Sequence, residues 1–440
     1  MMMKKASLLA AFAFLLVLAA CSGRDSQAPL EGERISVLEL QRHLEPDSDA
    51  LSAQGFIAPA AWKNEFWPQA GGYPNHVMQH VALNDGALRQ AWTANIGRGS
   101  TDLLPLTAQP IVADGYVFAM DARSTLTAVS VRDGRQVWQR SVRNPNQRDP
   151  VISGGIAFAR GVLYVTTGYN DVLALNAADG KTIWHVRIPA PARAAPTVMD
   201  ERLFITTLDN RLVALSVENG GFLWEESGIT ETAGLVGAAS PAVSRDVVIP
   251  AFSSGEIFAL RIENGAVAWT ESLSSLARAG GLAGISDIRA LPVIDKGLVI
   301  AISFGGRMIA VDERTGTRIW QRDIGGVETP WVVGNHVFVI SNDNELVALG
   351  RDNGVIRWVT QLPRYQDPDR RRSPVFWTGP VMAGERLIIA GSDGNIMEIA
   401  PEDGDIIRRW SAGKSVKIAP VVAGETLYLL AEDGTLLAYR

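Results

Sequence analysis

The chain is 440 residues long, 47% apolar and 20% charged, with a formal charge of −6 and a pI near 5.5. That balance describes a globular protein with material for a sizeable core, and it argues against nucleic-acid binding, which wants a basic face. The one cysteine, Cys21, rules out an intramolecular disulfide.

Residues 1–20 read as a lipoprotein signal peptide. Lys4 and Lys5 form a positive start, and residues 6–20 are an apolar run too short for an ordinary membrane span. The run closes on Leu18-Ala19-Ala20-Cys21, which resembles the bacterial lipobox, so Cys21 is the expected lipidation site. Several acyl chains at ~0.8 kcal/mol per buried CH₂ make a stable anchor. Ser22, where aspartate would retain a lipoprotein at the inner membrane, points to the outer one.

Residues 21–81 then carry the anchor, a small and polar tether, and a segment expected to pack on one face of the domain that follows. Residues 35–44 could form a short helix, and residues 61–72 hold Trp62, Phe66 and Trp67 as packing surface.

From residue 82 a repeat governs the chain. Six times an alanine stands ten residues before a tryptophan and a glycine four before it, ending at Trp138, Trp184, Trp224, Trp269, Trp320 and Trp358. Looser copies end at Trp92 and Trp410, where Gly86 and Gly404 lie six residues back. A proline stands 28 residues before the tryptophan in five copies; a last start at Pro420 reaches Ala438 and has no tryptophan after it. The orphan around Trp92 and this unfinished copy complete each other.

Spacing near 45 residues fits propeller blades or paired-helix solenoids. Periodicity decides between them: the apolar runs are short and β-branched, separated by pairs such as Asn219-Gly220 that suit tight hairpins, and no window sustains a helical pattern. The expectation is an all-β, eight-bladed β-propeller of four-stranded antiparallel blades over residues 82–440, closed by an N-terminal strand joining three C-terminal strands. The eight tryptophans read as packing between blades. Connections from each tryptophan to the next blade vary from 10 to 23 residues and share one face, which makes that face the functional suspect.

Chemistry-bearing motifs are sparse. The five histidines are scattered, and only His76 and His80 have i, i+4 spacing, without the glutamate of a zincin. No nucleophile elbow or phosphate loop is present. Arg370, Arg371 and Arg372 follow Asp367 and Asp369 and read as a solvated loop with internal charge pairing, or else as a patch for an acidic partner.

The Ala-Leu-x-x-x-x-Gly-x-x-x-Trp motif resembles the repeat of quinoprotein (PQQ-type) propellers. Such dehydrogenases use calcium, a catalytic aspartate and often a vicinal disulfide; one cysteine excludes the last, and no acidic cluster has calcium-ligand spacing. Lipobox, blade count and size together resemble the BamB family, lipoprotein subunits of the β-barrel assembly (BAM) machinery, and Arg34-Ile35-Ser36-Val37-Leu38 with Trp67-Pro68-Gln69-Ala70-Gly71-Gly72 is similar to its alphaproteobacterial branch. The resemblance implies a non-enzymatic scaffold without cofactor or metal, on the periplasmic side of the outer membrane. It implies docking on the POTRA domains of BamA, through BamA a link to the other BAM subunits, and nascent β-barrel proteins as a further partner class. Family contacts map to the connections after Trp224 and Trp269: Leu235 and Asp287 fall at contact positions, while Val236 and Arg289 stand where an arginine and a second aspartate are familiar. The alternative is a periplasmic quinoprotein-like dehydrogenase or ligand-binding propeller, which acidic residues converging on the central channel would favour.

Overall fold

The computed structural model describes residues 44–47, 55–147, 149–192, 194–231, 234–274 and 285–440. By its contacts the chain divides into residues 1–44 and residues 45–440. Only Leu44 of the first part is described, so Cys21 and the helix expected over 35–44 lie outside the described residues.

Residues 90–440 form eight four-stranded antiparallel sheets, the blades of a β-propeller. Blade 1 is typical: Ile111–Ala113, Tyr116–Met120, Thr125–Ser130 and Gln136–Ser141 run from the inner edge outward. Its two middle strands are buried on both faces because each sheet is covered by both neighbours, whereas the outer strand alternates toward solvent. Blades 2 to 7 follow over residues 156–187, 197–227, 242–272, 293–322, 331–361 and 377–411. Blade 8 takes Val421–Ala423, Thr426–Leu430 and Thr435–Tyr439 from the C-terminus and Gln90–Asn95 from the N-terminal side. Ala438 pairs with Trp92, and Arg89 and Arg440 exchange backbone hydrogen bonds, so the ring closes through main-chain bonding.

The repeat motif is a staple between blades. In seven blades the motif alanine lies directly opposite the tryptophan, from Ala128 against Trp138 to Ala438 against Trp92. The residue before the tryptophan is bulged out of register, which is why Val137, Ile183, Leu223 and Ile319 are exposed on the rim. Each of these seven indoles donates to a main-chain carbonyl of the next blade at 2.8–3.2 Å. That carbonyl lies three residues before the next blade's turn glycine. Gly180 illustrates the requirement: its φ is +70°, and a Cβ there would come within 2.9 Å of the Trp138 ring.

Blade 7 departs from the pattern. Its bulge falls at Ile407, and the tryptophan position is Arg408, opposite Glu398; Trp410 sits two residues further on. Trp410 still packs against the next blade, its ring 4.8 Å from that of Tyr439, but it donates to Glu398 of its own blade and not across the seam. The reason lies in the break of the ring. A staple needs the hairpin between the third and outer strands of the next blade, and in blade 8 the chain ends occupy that place. Here Arg408 Nη1 reaches the Gly86 carbonyl at 3.0 Å, and Arg386 Nη2 the Asn84 carbonyl at 2.8 Å. Both arginines converge on Glu398, fully buried, at 2.8 and 3.0 Å, and Trp410 Nε1 donates to its other oxygen at 2.9 Å.

Residues 64–81 make a circuit of the inner strands. Asn64 bonds blade 8 through Val422 and Gly424, Trp67 bonds Val112 in blade 1, and Pro68 accepts from Phe158 in blade 2. The Gln69 side chain brackets Val198 in blade 3, and Pro74 and Asn75 accept from Val243 and Ile294 in blades 4 and 5. Gln79 takes the Trp331 indole and the Gly334 N–H of blade 6, and Val81 bonds Met382 and Gly384 of blade 7. All eight blades are thus tied to one segment, which closes the channel at the end opposite the long connections and satisfies backbone groups that would otherwise face its interior.

Candidate functional site

The long connections leave the outer strands at the open end of the channel. The connection after Trp358 is not a plain loop: Tyr365–Asp367 and Arg372–Pro374 pair as a small hairpin, with Arg370 3.9 Å from Asp367.

The connections after Trp224 and Trp269, from adjacent blades, are joined by one bond. The Leu235 N–H donates to Asp287 Oδ2 at 2.5 Å, and the Asp287 carbonyl accepts from Phe304 N at 2.9 Å. Asp287 is only 4% exposed. Burial pushes its carboxyl above the usual range, while the Leu235 bond and Arg289 pull it down. The expectation that Asp287 is displayed to a partner is corrected: it is the support of the Leu235 loop. Gly234 lies against it so closely that a Cβ would stand 2.9 Å from Oδ2.

What this support presents is Leu235, half-buried, and Val236, 45% exposed. Arg289 is half-buried beside Gly237, lining the mouth of the channel. Among the described residues Arg289 makes no hydrogen bond or ion pair. The mouth is a cavity of about 440 Å³ walled by Leu106, Val236, Phe304, Phe376 and Trp377, with Lys417 and Glu432 on its rim. Below it a smaller cavity of about 150 Å³ runs down to Trp67 and His76 of the closing segment. Glu328 lines both; it accepts from Thr378 Oγ1 at 2.6 Å and Gly379 N at 3.2 Å. Burial raises its pKa against the pull of Arg289. His76 Nδ1 bonds the Pro292 carbonyl at 2.6 Å, its other nitrogen is unpartnered, and burial depresses its pKa to about 4. His80 contacts the Pro59 and Gly384 carbonyls instead, so the two histidines do not share a ligand.

Glu328 and Glu432 are the carboxylates lining the described channel. The first is bonded as above and the second is paired with Lys417 at 2.9 Å. Among the described residues no three His, Cys, Asp or Glu side chains gather as a metal site. This donor set does not fit the calcium of a quinoprotein, which takes six to eight oxygens. Sequence reasoning missed Glu328, Lys417 and Phe376, which lie in three different connections and carry no motif.

The family model for "Outer membrane protein assembly factor BamB" matches residues 49–151, 146–360 and 367–440. The chain belongs to this family. A BamB of Yersinia pestis is 27% identical over 356 residues, covering 80% of this chain and 88% of that one. The crystal structure of BamB from Moraxella catarrhalis matches with a TM-score of 0.68 at 20% identity, covering 80% of this chain and all of that one. The quinohemoprotein alcohol dehydrogenase of Comamonas testosteroni shares the fold at a TM-score of 0.65 and 14% identity, over 89% of this chain and 82% of that one.

Proposed function

We propose that this BamB-family chain is a non-enzymatic scaffold that docks on the POTRA domains of BamA through the open, connection-bearing end of its channel. A lipid on Cys21 would hold it at the periplasmic face of the outer membrane. The observation that carries the reading is the Leu235–Asp287 bond. It ties residues 234–237 to residues 285–289 of the adjacent blade's connection, with Val236 exposed, Arg289 half-buried and a large apolar mouth beside them. Preformed surfaces lose little ordering entropy on binding, and their energy concentrates in a few anchors. Leu235 and Val236 are the apolar anchors, Arg289 is the charged contact, and Asp287 acts through the loop it supports.

Affinity purification of the native protein from solubilised outer membranes tests the proposal. BamA should co-purify at near-stoichiometric yield, and Cys21→Ser should abolish palmitate labelling while leaving the fold intact. Recovery without BamA would defeat the docking reading, and label persisting in the variant would defeat the anchor.

A further inference from the structure

The groove between blades 1 and 2 gathers cationic side chains on both of its walls. It is a cavity of about 430 Å³ on the flank of the disc, lined by Arg140 and Arg143 from one side and His185, Arg187, Thr182 and Asp171 from the other. The repeat supplies an internal comparison. Arg140 stands two residues after its blade's tryptophan, where blades 3 and 4 have Glu226 and Glu271 and blade 5 has Arg322, so what sets this seam apart is the company of His185 and Arg187. His185 stands one residue after its tryptophan, where blade 3 has Glu225, and Arg187 stands where blades 3 and 4 have Ser227 and Ser272. Three guanidinium groups face a single carboxylate in a chain whose overall charge is −6.

That carboxylate is spent on holding the site. Asp171 is 2% exposed and takes His185 Nε2 at 2.8 Å and Asn144 Nδ2 at 3.0 Å, with Arg187 Nε at 3.8 Å. Arg140 is fixed from the opposite wall by the Gly180 carbonyl at 2.6 Å and Thr182 Oγ1 at 2.7 Å. Arg143 Nη2 donates to the Gln147 carbonyl at 3.2 Å. Arg140, held by neutral acceptors, beside Arg187 and His185, which share one buried carboxylate, suits a tetrahedral oxyanion carrying two negative charges.

We propose that this groove binds a phosphate group, distinct from and independent of the partner-docking end of the channel. The phosphate belongs either to a phospholipid headgroup or to a soluble phosphate ester. The test uses the full chain carrying Cys21→Ser, so that no acyl chain supplies affinity. Inorganic phosphate is titrated by calorimetry, and flotation is measured with vesicles of phosphatidylglycerol against phosphatidylcholine. Arg140→Gln/Arg187→Gln is the test variant. Arg135→Gln, which removes an exposed arginine paired with Asp133 outside the groove, is the control.

Saturable phosphate binding weakened at least tenfold in the test variant and unchanged in the control is the expected result, and it should fade with added salt. A parallel loss of flotation with phosphatidylglycerol assigns the group to a membrane lipid. Flotation absent or unaffected, with phosphate binding lost, assigns it to a soluble ester. No phosphate binding by the unmutated groove, or equal loss in test and control variants, overturns the proposal.

Discussion

Replacing Glu398 with alanine should weaken the ring more than the loss of any exposed ion pair. Glu398 is fully buried and receives Arg386, Arg408 and the Trp410 indole within 3.0 Å. Its removal leaves Arg386, whose side chain is 4% exposed, with only the distant and exposed carboxylate of Asp85, 3.8 Å away, as a described counter-ion. It also leaves a half-buried indole N–H without its acceptor. Stranding one member of a buried ion pair costs about 3–5 kcal/mol, against ~0–1 kcal/mol for a pair in solvent. The seam affected is the one the ring uses to close, so the melting transition should drop by several degrees. Arg408→Ala should cost less, because Arg408 is about one-third exposed, and Glu398 would keep Arg386 and Trp410. Glu398→Ala with Arg408→Trp recreates the alanine–tryptophan pairing of the other blades and should lose less than Glu398→Ala alone. Urea unfolding followed by tryptophan fluorescence measures all three, and a double-mutant cycle gives the coupling. A loss below about 1 kcal/mol for Glu398→Ala, or strict additivity with Arg408→Ala, would refute the reasoning.

Other consequences are quicker to check. Gly180→Ala forces a Cβ against Trp138 at a positive φ and should cost about 2 kcal/mol or more, seen as a lowered urea midpoint; an unchanged midpoint would remove the staple's steric basis. His76 titrates near 4 in the folded chain and near 6.5 unfolded, so its contribution is present above 6.5 and lost as pH falls toward 4. Between pH 7.5 and 5 it should account for about 2 kcal/mol of lost stability that His76→Gln no longer shows. Deleting residues 55–81 should destabilise all eight blades together, because that segment bonds each inner strand; a melting curve matching the full chain would deny it that part.

The blades were legible because the motif is the physics of the staple. An alanine clears space, a glycine turns with positive φ, and an indole fills the gap and donates across it. The same logic found Trp410 as a residue packing on the next blade but missed its register, since the bulge at Ile407 puts Arg408 in the position opposite Glu398. The repeat did show how the broken blade is completed, but not that the blade before it replaces the indole bond with a buried carboxylate and two arginines. The aromatic residues of 61–72 pointed to a segment packing on one face, but not to its blade-by-blade circuit, whose bonds are made by main chain and by single side chains such as Gln69, with no periodicity to betray them. At the channel mouth, Leu235 and Asp287 were both picked out, but not that one supports the other. That relation lives in a 2.5 Å bond between two connections 52 residues apart.

The docking claim turns on Val236, exposed, and Arg289, half-buried at the channel mouth. Val236→Asp with Arg289→Lys changes the contact while keeping the positive charge that favours the ionised Asp287 and Glu328, so the Leu235–Asp287 support stays and the melting temperature should hold. Binding of the full-length double variant to purified POTRA domains of the cognate BamA, measured by surface plasmon resonance beside the unmutated protein, is the direct test. The expected result is a Kd raised at least tenfold, about 1.4 kcal/mol, with an unchanged melting curve. Undiminished affinity would contradict the claim and place BamA elsewhere on the ring.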